Sequence, residues 1–304
     1  MDVNLSEDGR AKPSPAAASI VISPENVWPL VPAAGSGELP TTRDLFLQAI
    51  LHLPRLGEVD GTISLMSAMA EIERLRVNRA RELQPLRAIG APPSVIPTLE
   101  ELEVGPVGSD QAEPIISHFH YLRSFRTDSV SIAAMWKRGI VALCSVSPLD
   151  VPRLADRLPI SSAREAAVIS RIFVFDWAPR NLVSYLLARA EKSEAIGSDV
   201  RLLLTYVNPN MGFTGASYRA ANWRRIGFET GTRYAYLRGG YVTDRRLASL
   251  PASEQRAVEY SRMPLRPLAV FGRFLDEELS RAASQRGEFV IGRVPPATAG
   301  TVPA

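Results

Sequence analysis

The feature that most constrains this chain is an alternation of strand-like and helix-like stretches between residues 98 and 247. LEELEVGPV reads as a strand running into the polar turn GSDQ, where Ser109 or Asp110 can cap a helix AEPIISHFHYLRSF. DSVSIAAMW, the turn KRG and IVALCSVSP then make two apolar runs across a short glycine-containing turn, a hairpin signal. AAVISRIFVFD follows as a buried strand and APRNLVSYLLARAEKSEA as a helix. VRLLLTYVNP is the next strand, GASYRAANWRRIGF a helix ending at Gly227, and TGTRYAYLRG a further strand. Strands alternating with helices imply a parallel or mixed sheet, because each crossover helix packs on a face of the sheet it joins. The expected class is α/β (α+β): a mixed central sheet with helices on both faces.

Around this core the expected organisation is a Pro/Ala/Ser/Gly-rich tail over 1–40, a helical extension over 41–97, a C-terminal helical extension over 248–290 and a second tail over 291–304. In the first extension, Thr41 or Thr42 can cap TTRDLFLQAILHL. A second helix places Ile63, Met66, Met69, Ile72 and Leu75 at three-residue steps before APPSVIP ends it. The extension is expected to pack against the core domain.

Charge is informative by position. Residues 118–247 hold 19 basic and 10 acidic side chains, whereas residues 1–117 hold 9 and 16. A basic middle favours a polyanionic partner, nucleic acid foremost, although 32 of the 35 basic residues are arginine, a bias that base composition alone can produce. No apolar run is long enough to span a bilayer. The first residues, MDVNLSEDGRAKPSP, lack the basic start and apolar run of a signal peptide, so no membrane association and a cytoplasmic location are expected. One cysteine and three histidines provide no metal-ligand spacing, and no metal site is expected.

The informative side chains cluster between Ser170 and Trp223, where helix N-termini meet strand ends, the usual place for anionic ligands in α/β proteins. Arg171, inside a strand of buried character, needs an internal partner or a bound anion. Asn181 and Ser184 open a helix; Asn181 reads first as a cap and Ser184 as a ligand candidate. Tyr218 can protonate a leaving group, stack on a base or pack in the core, and Trp177 is a second stacking candidate. His118 and His120 lie two apart and would diverge on a helix, so one at most is catalytic. Arg123 and Arg126, and Arg219, Arg224 and Arg225 on the later helix, can reach phosphate. Trp223 is expected to pack the helix on the sheet, and Cys144 to be a small core residue.

The order of elements is similar to that of the GNAT acyltransferase superfamily. Within it, His120-Tyr121, Ser170-Arg171, Asn181 to Ser184, Thr205 to Asn208, and Gly215 through Tyr218, Ala220 and Trp223 resemble the Mom family of phage and bacterial DNA-modification proteins. The resemblance covers about residues 115–240 and implies a GNAT-like domain over 98–247. It also implies a transferase that places a methylcarbamoyl group on the exocyclic amine of adenine in DNA. It casts Arg171, Ser184 and Tyr218 as active-site residues, with His120 beside them. Asn208 stands where the family carries an aspartate and cannot act as a carboxylate base.

The donor is left as an acyl or aminoacyl group, with acetyl-CoA and aminoacyl-tRNA as candidates. Asn181 and Ser184 are its candidate contacts, because DWAPRNLVS lacks the glycine-rich pyrophosphate loop of ordinary acetyl-CoA users. Two rivals stay open: a small-molecule acyl- or aminoacyltransferase in a biosynthetic pathway, and a catalytically degenerate binding module.

Overall fold

The computed structural model describes residues 18–32, 42–149, 152–230 and 233–292. In chain order the elements are β1 (Ser19–Val21), α1 (Pro24–Val27), α2 (Thr42–His52), β2 (Thr62–Ser64), α3 (Leu65–Leu83), α4 (Arg87–Gly90), β3 (Glu103–Val107) and α5 (Ser109–His118). Then come β4 (Val130–Trp136), β5 (Gly139–Pro148), α6 (Pro152–Ala155), β6 (Ala166–Val174), α7 (Leu182–Ala190), β7 (Leu202–Val207), α8 (Ala216–Ala220) and β8 (Arg224–Glu229). The chain ends with β9 (Ala235–Leu237), β10 (Gly240–Val242), α9 (Asp244–Ser249), α10 (Ala252–Gln255), β11 (Val258–Tyr260), β12 (Leu268–Phe274), α11 (Glu277–Arg286) and β13 (Phe289–Ile291). Most of the two expected tails and the cap candidate Thr41 lie outside the described residues. Among those described, no helix is long and apolar enough to cross a membrane.

Two units emerge. One joins residues 83–232 to 265–304, the other 1–82 to 233–264. The first holds an eight-stranded mixed sheet in the order β13-β8-β12-β7-β6-β5-β4-β3. The expected hairpin is β4–β5, turned by Lys137 and Arg138, both at positive φ (48° and 69°). β6 and β7 are parallel, as a crossover through α7 requires. Side chains alternate between the faces. Leu203, Phe271, Cys144 and Ile132 pack with Leu182, Leu186 and Leu187 of α7 on one face. On the other, Leu202, Leu204 and Val270 meet Leu279 of α11, and Ala133 and Leu143 meet Ile115 and Ile116 of α5. A mixed sheet covered by helices on both faces is the α/β architecture expected from the alternation of strands and helices.

Several local expectations are corrected. The stretch 248–290 is no helical extension: it supplies β12, an interior strand between β7 and β8, together with β11 and β13. The last strand expected in the core, TGTRYAYLRG, instead forms β9 of a separate three-stranded sheet, β10-β9-β11, in the other unit. The helix expected across GASYRAANWRRIGF stops at Ala220. Asn222 takes a positive φ (61°) and Arg224 and Arg225 begin β8. β-branched and aromatic side chains from Trp223 to Phe228, packed on a sheet, outweigh the helical pattern before them. The helix containing both histidines likewise ends at His118.

The second unit is built on α2, buried at every position from Asp44 to His52. A helix buried on all sides must pair its polar groups internally. Arg79, 1% exposed, bonds Asp44 at 2.7 Å, and Glu71 receives Arg74 at 2.6 and 2.7 Å. Tyr236 of β9 is fully buried and donates its hydroxyl to the Leu51 carbonyl at 2.7 Å. On α3, Ile72 and Leu75 are buried as expected, but Met66 and Met69 are more than half exposed, because three-residue steps drift off a 3.6-residue period.

Candidate active site

The site begins with two irregularities in β6. Ser145 pairs with Arg171 whereas Val146 pairs with Ile169, so Ser170 is an extra residue that bulges the strand. The bulge is held by hydroxyls: Ser147 donates to Ser170 Oγ at 2.6 Å, and Ser170 donates to the Ser145 carbonyl at 3.2 Å. Second, β6 and β7 pair only from Ala166–Val168 to Leu202–Leu204. Beyond that the ladder stops, and Thr205 Oγ1 donates to the Ile169 carbonyl at 3.2 Å. The bulge and the fork re-aim the residues after Ile169, Arg171 first among them.

Arg171 is half-buried. Its Nε donates to the Ser124 carbonyl at 3.0 Å and Nη1 to the Ser170 carbonyl at 2.6 Å. Both of these acceptors are neutral carbonyls, and the guanidinium itself carries a positive charge. That charge reaches His120, whose pKa is held well below the usual 6.5 by burial first and by Arg171 second. His120 Nδ1 accepts the Leu122 N–H at 3.1 Å, so the neutral imidazole carries its proton on Nε2. His120 is thus a donor and no general base.

Beside it Tyr121 stacks on the imidazole, with centroids 4.4 Å apart, and burial pushes its phenol up to about 12 despite Arg171. Tyr218 sits at the fork, its hydroxyl sharing a 3.2 Å hydrogen bond with Thr205 Oγ1. Burial raises its pKa far above the ordinary tyrosine value, so it too stays protonated. Arg171, His120, Tyr121 and Tyr218 therefore form one electrostatically connected group. Three of them were singled out from sequence; Tyr121, Thr205 and Phe213 were not, although the dipeptide His120-Tyr121 and the two glycines flanking Phe213 offered a signal.

Other expected site residues are placed differently. Ser184 Oγ donates to the Asn181 carbonyl at 2.9 Å, in the first turn of α7. Asn181 precedes α7 at φ 64° and makes no side-chain cap, contrary to the capping expectation. In left-handed backbone it takes the conformation a glycine usually supplies. Asn208 Oδ1 accepts the backbone N–H and the side-chain amide of Asn210, both at 2.9 Å. Its oxygen is engaged in holding a turn.

The arginines also divide. Arg126 is buried, 5% exposed, and bound to Asp128 at 3.2 and 3.0 Å, which removes it from the phosphate-binding set. Arg123 lies in the turn after α5 at φ 48°. Arg224 bonds Ser284 and the Ser280 carbonyl and stacks on Phe274, so it fastens α11 to the sheet. Arg225 pairs with Glu288 at 2.7 Å, and Arg219 on α8 donates to the Thr214 carbonyl at 2.8 Å. Cys144 is fully buried with its thiol pushed up to about 12, which excludes a nucleophilic role.

Comparison with known proteins gives three findings. Among solved structures, the chain is similar to an N-acetyltransferase from Staphylococcus aureus Mu50, at 12% identity and TM-score 0.35 over 58% of this chain and 99% of that one. It is similar to a GNAT family acetyltransferase from Elizabethkingia anophelis with acetyl-CoA bound (11%, TM-score 0.35, 58% and 99%). It is also similar to the ribosomal-protein-S18-alanine N-acetyltransferase from Escherichia coli (10%, TM-score 0.36, 58% and 94%). No curated protein matches. The model of the Mom protein family matches residues 101–268, more than half of the chain and a span that includes β6, the fork and every residue of the group around Arg171. This chain belongs to the Mom protein family.

Proposed function

We propose that this protein is a GNAT-like transferase that places an acyl-type group on an amine in nucleic acid, with the exocyclic amine of adenine in DNA as the acceptor. The observation that carries the reading is the protonation state of the fork. Burial holds Tyr121 and Tyr218 protonated, and His120 is neutral with Nδ1 already accepting a hydrogen bond. Each of these groups presents a proton to the site. An aliphatic amine, charged at neutral pH, requires a base to take its proton. A purine exocyclic amine is already uncharged and requires only that the attacked carbonyl be polarised.

A bound acyl donor supplies the activated carbonyl. The chain fits an anionic donor at the start of α7, where Asn181 at φ 64° leaves the first-turn N–H groups without a side-chain cap. Acyl-CoA and aminoacyl-tRNA remain the candidate donor classes. In the reaction, the amine nitrogen bonds to the carbonyl carbon, the bond from that carbon to the leaving group breaks, and the nitrogen's proton leaves with that group. Arg171 offers the positive charge for the developing oxyanion, and the Tyr218 hydroxyl is the donor nearest the fork.

The test is mass spectrometry of nucleosides from cells expressing the protein, beside cells expressing Arg171→Ala. The expected result is a deoxyadenosine-derived mass that is lost in the variant. Identical nucleosides in both, with folded protein present, would overturn the assignment.

A further inference from the structure

We infer that Phe213 is the platform on which the acceptor base stacks, and that Asn208 is a positioning residue that holds the platform's loop. The inference rests on the nucleic-acid reading above. An acceptor inside a base stack reaches an enclosed site only when it is unstacked, and an enzyme replaces the lost stacking with an aromatic face. The two rings suggested by sequence are both committed elsewhere. Tyr218 lies against Trp223 and Phe271, at 5.5 and 5.9 Å, with its hydroxyl on Thr205. Trp177 stacks parallel on Phe175 at 5.5 Å and donates Nε1 to the Gly90 carbonyl.

Phe213 also packs on the core but is partly exposed, and it continues a row of rings that starts beside Arg171: His120 stacks on Tyr121, and Tyr121 meets Phe213 at 5.7 Å. The loop that carries it is fastened at both ends. Asn208 holds the Asn210 backbone and side chain; Asn210 in turn donates to the Arg266 carbonyl at 3.0 Å and accepts the Arg266 N–H at 2.9 Å. Met211 is buried beneath. At the far end Gly215, at φ 76°, lies so close to Phe271 that a Cβ would stand 2.6 Å from its ring. Gly212 is also left-handed, at φ 79°. Between these two glycines only Phe213 and Thr214 carry side chains. A partly exposed aromatic ring on so constrained a backbone, in contact with Tyr121 of the group around Arg171, is placed to meet a planar ligand.

This assigns Asn208 a role that does not require the aspartate otherwise found in the family: either side chain presents an oxygen that accepts both bonds from Asn210. The experiment uses the full chain and a single-stranded oligonucleotide carrying 2-aminopurine, whose fluorescence is quenched when its ring stacks. Binding is followed by anisotropy. Wild type is expected to bind with the probe quenched. Phe213→Leu, which keeps the apolar contact with Tyr121 but lacks a π face, is expected to bind about tenfold more weakly with a brighter probe. Phe213→Tyr restores both values. Asn208→Ala should behave as Phe213→Leu, and Asn208→Asp should recover the quenching. Equal affinity and brightness in wild type and Phe213→Leu overturn the platform while leaving the nucleic-acid reading standing. No oligonucleotide binding by wild type overturns the reading itself and the platform with it.

Discussion

Two arginines, the buried Arg79 and the half-buried Arg171, are bonded in two different ways. Arg79, in the unit built on α2, is 1% exposed and bonds the carboxylates of Asp44 and Glu82 at 2.7 and 3.2 Å. Arg171, at the fork, is half-buried and bonds the carbonyls of Ser124 and Ser170. A carboxylate neutralises the guanidinium and makes a structural joint; a carbonyl satisfies its N–H groups and leaves the charge felt by its neighbours. Burial first, and the Arg171 charge second, hold the His120 pKa well below its usual value. Arg79 fastens its helix through carboxylates, and Arg171 brings a positive charge to the fork.

The sharpest way to break this comparison is to remove each arginine in turn. Arg171→Ala should lower product formation by roughly 10²–10³-fold, the cost of removing one oxyanion donor, while shifting the melting temperature little. Arg79→Ala should do the reverse, costing about 3–5 kcal/mol by stranding Asp44 in the interior. Chemical denaturation of both variants beside nucleoside analysis reads the two effects; equal destabilisation by both would erase the distinction. Tyr218→Phe should reduce turnover by about 10²-fold if its hydroxyl donates in the reaction, with stability kept because Thr205 retains the Ile169 carbonyl. Unaltered turnover would return Tyr218 to a packing role.

His120 sharpens the comparison through pH. Its folded pKa is lowered from 6.5, so the unfolded chain binds more protons below that value and stability falls as pH drops. The slope is at most about 1.4 kcal/mol per pH unit, and above about pH 6.5 the contribution is complete. Urea titrations of wild type and His120→Asn from pH 5 to 7.5 should converge at the acid end; parallel profiles would contradict the depressed pKa. The smallest effect expected is at Cys144. Fully buried, with its thiol near 12, it should resist alkylation at pH 8 until the protein is unfolded.

Much of the site was legible because its residues violate local expectation. An arginine in the apolar run AAVISRIFV asks for a partner wherever the strand lies, and Ser170 beside it is the residue that bulges. The hairpin β4–β5 was legible from two apolar runs around KRG, because its partners are adjacent in sequence. Other features were not. Arg126 looked like a phosphate ligand, and only its burial with Asp128 shows that it is an internal ion pair. Asn181 sits where a cap was expected, but its backbone is left-handed, which no side-chain pattern announces. His120 read as a catalytic candidate, whereas its inability to act as a base depends on the Leu122 N–H and on Arg171.

The sequence by itself determined the alternation of strands and helices, the hairpin, the class of fold and the identity of the polar residues that gather at the fork. These follow from local periodicity and from single side chains whose burial costs too much without a partner. Only the tertiary structure decided that β12, separated from β8 by the excursion through residues 233–264, completes the sheet between β7 and β8. It alone decided that the fork's titratable groups are proton-bearing or neutral. Pairing across so long an excursion is selected by the whole sheet. Protonation is set by desolvation and neighbouring charge, and neither quantity exists until the chain has folded.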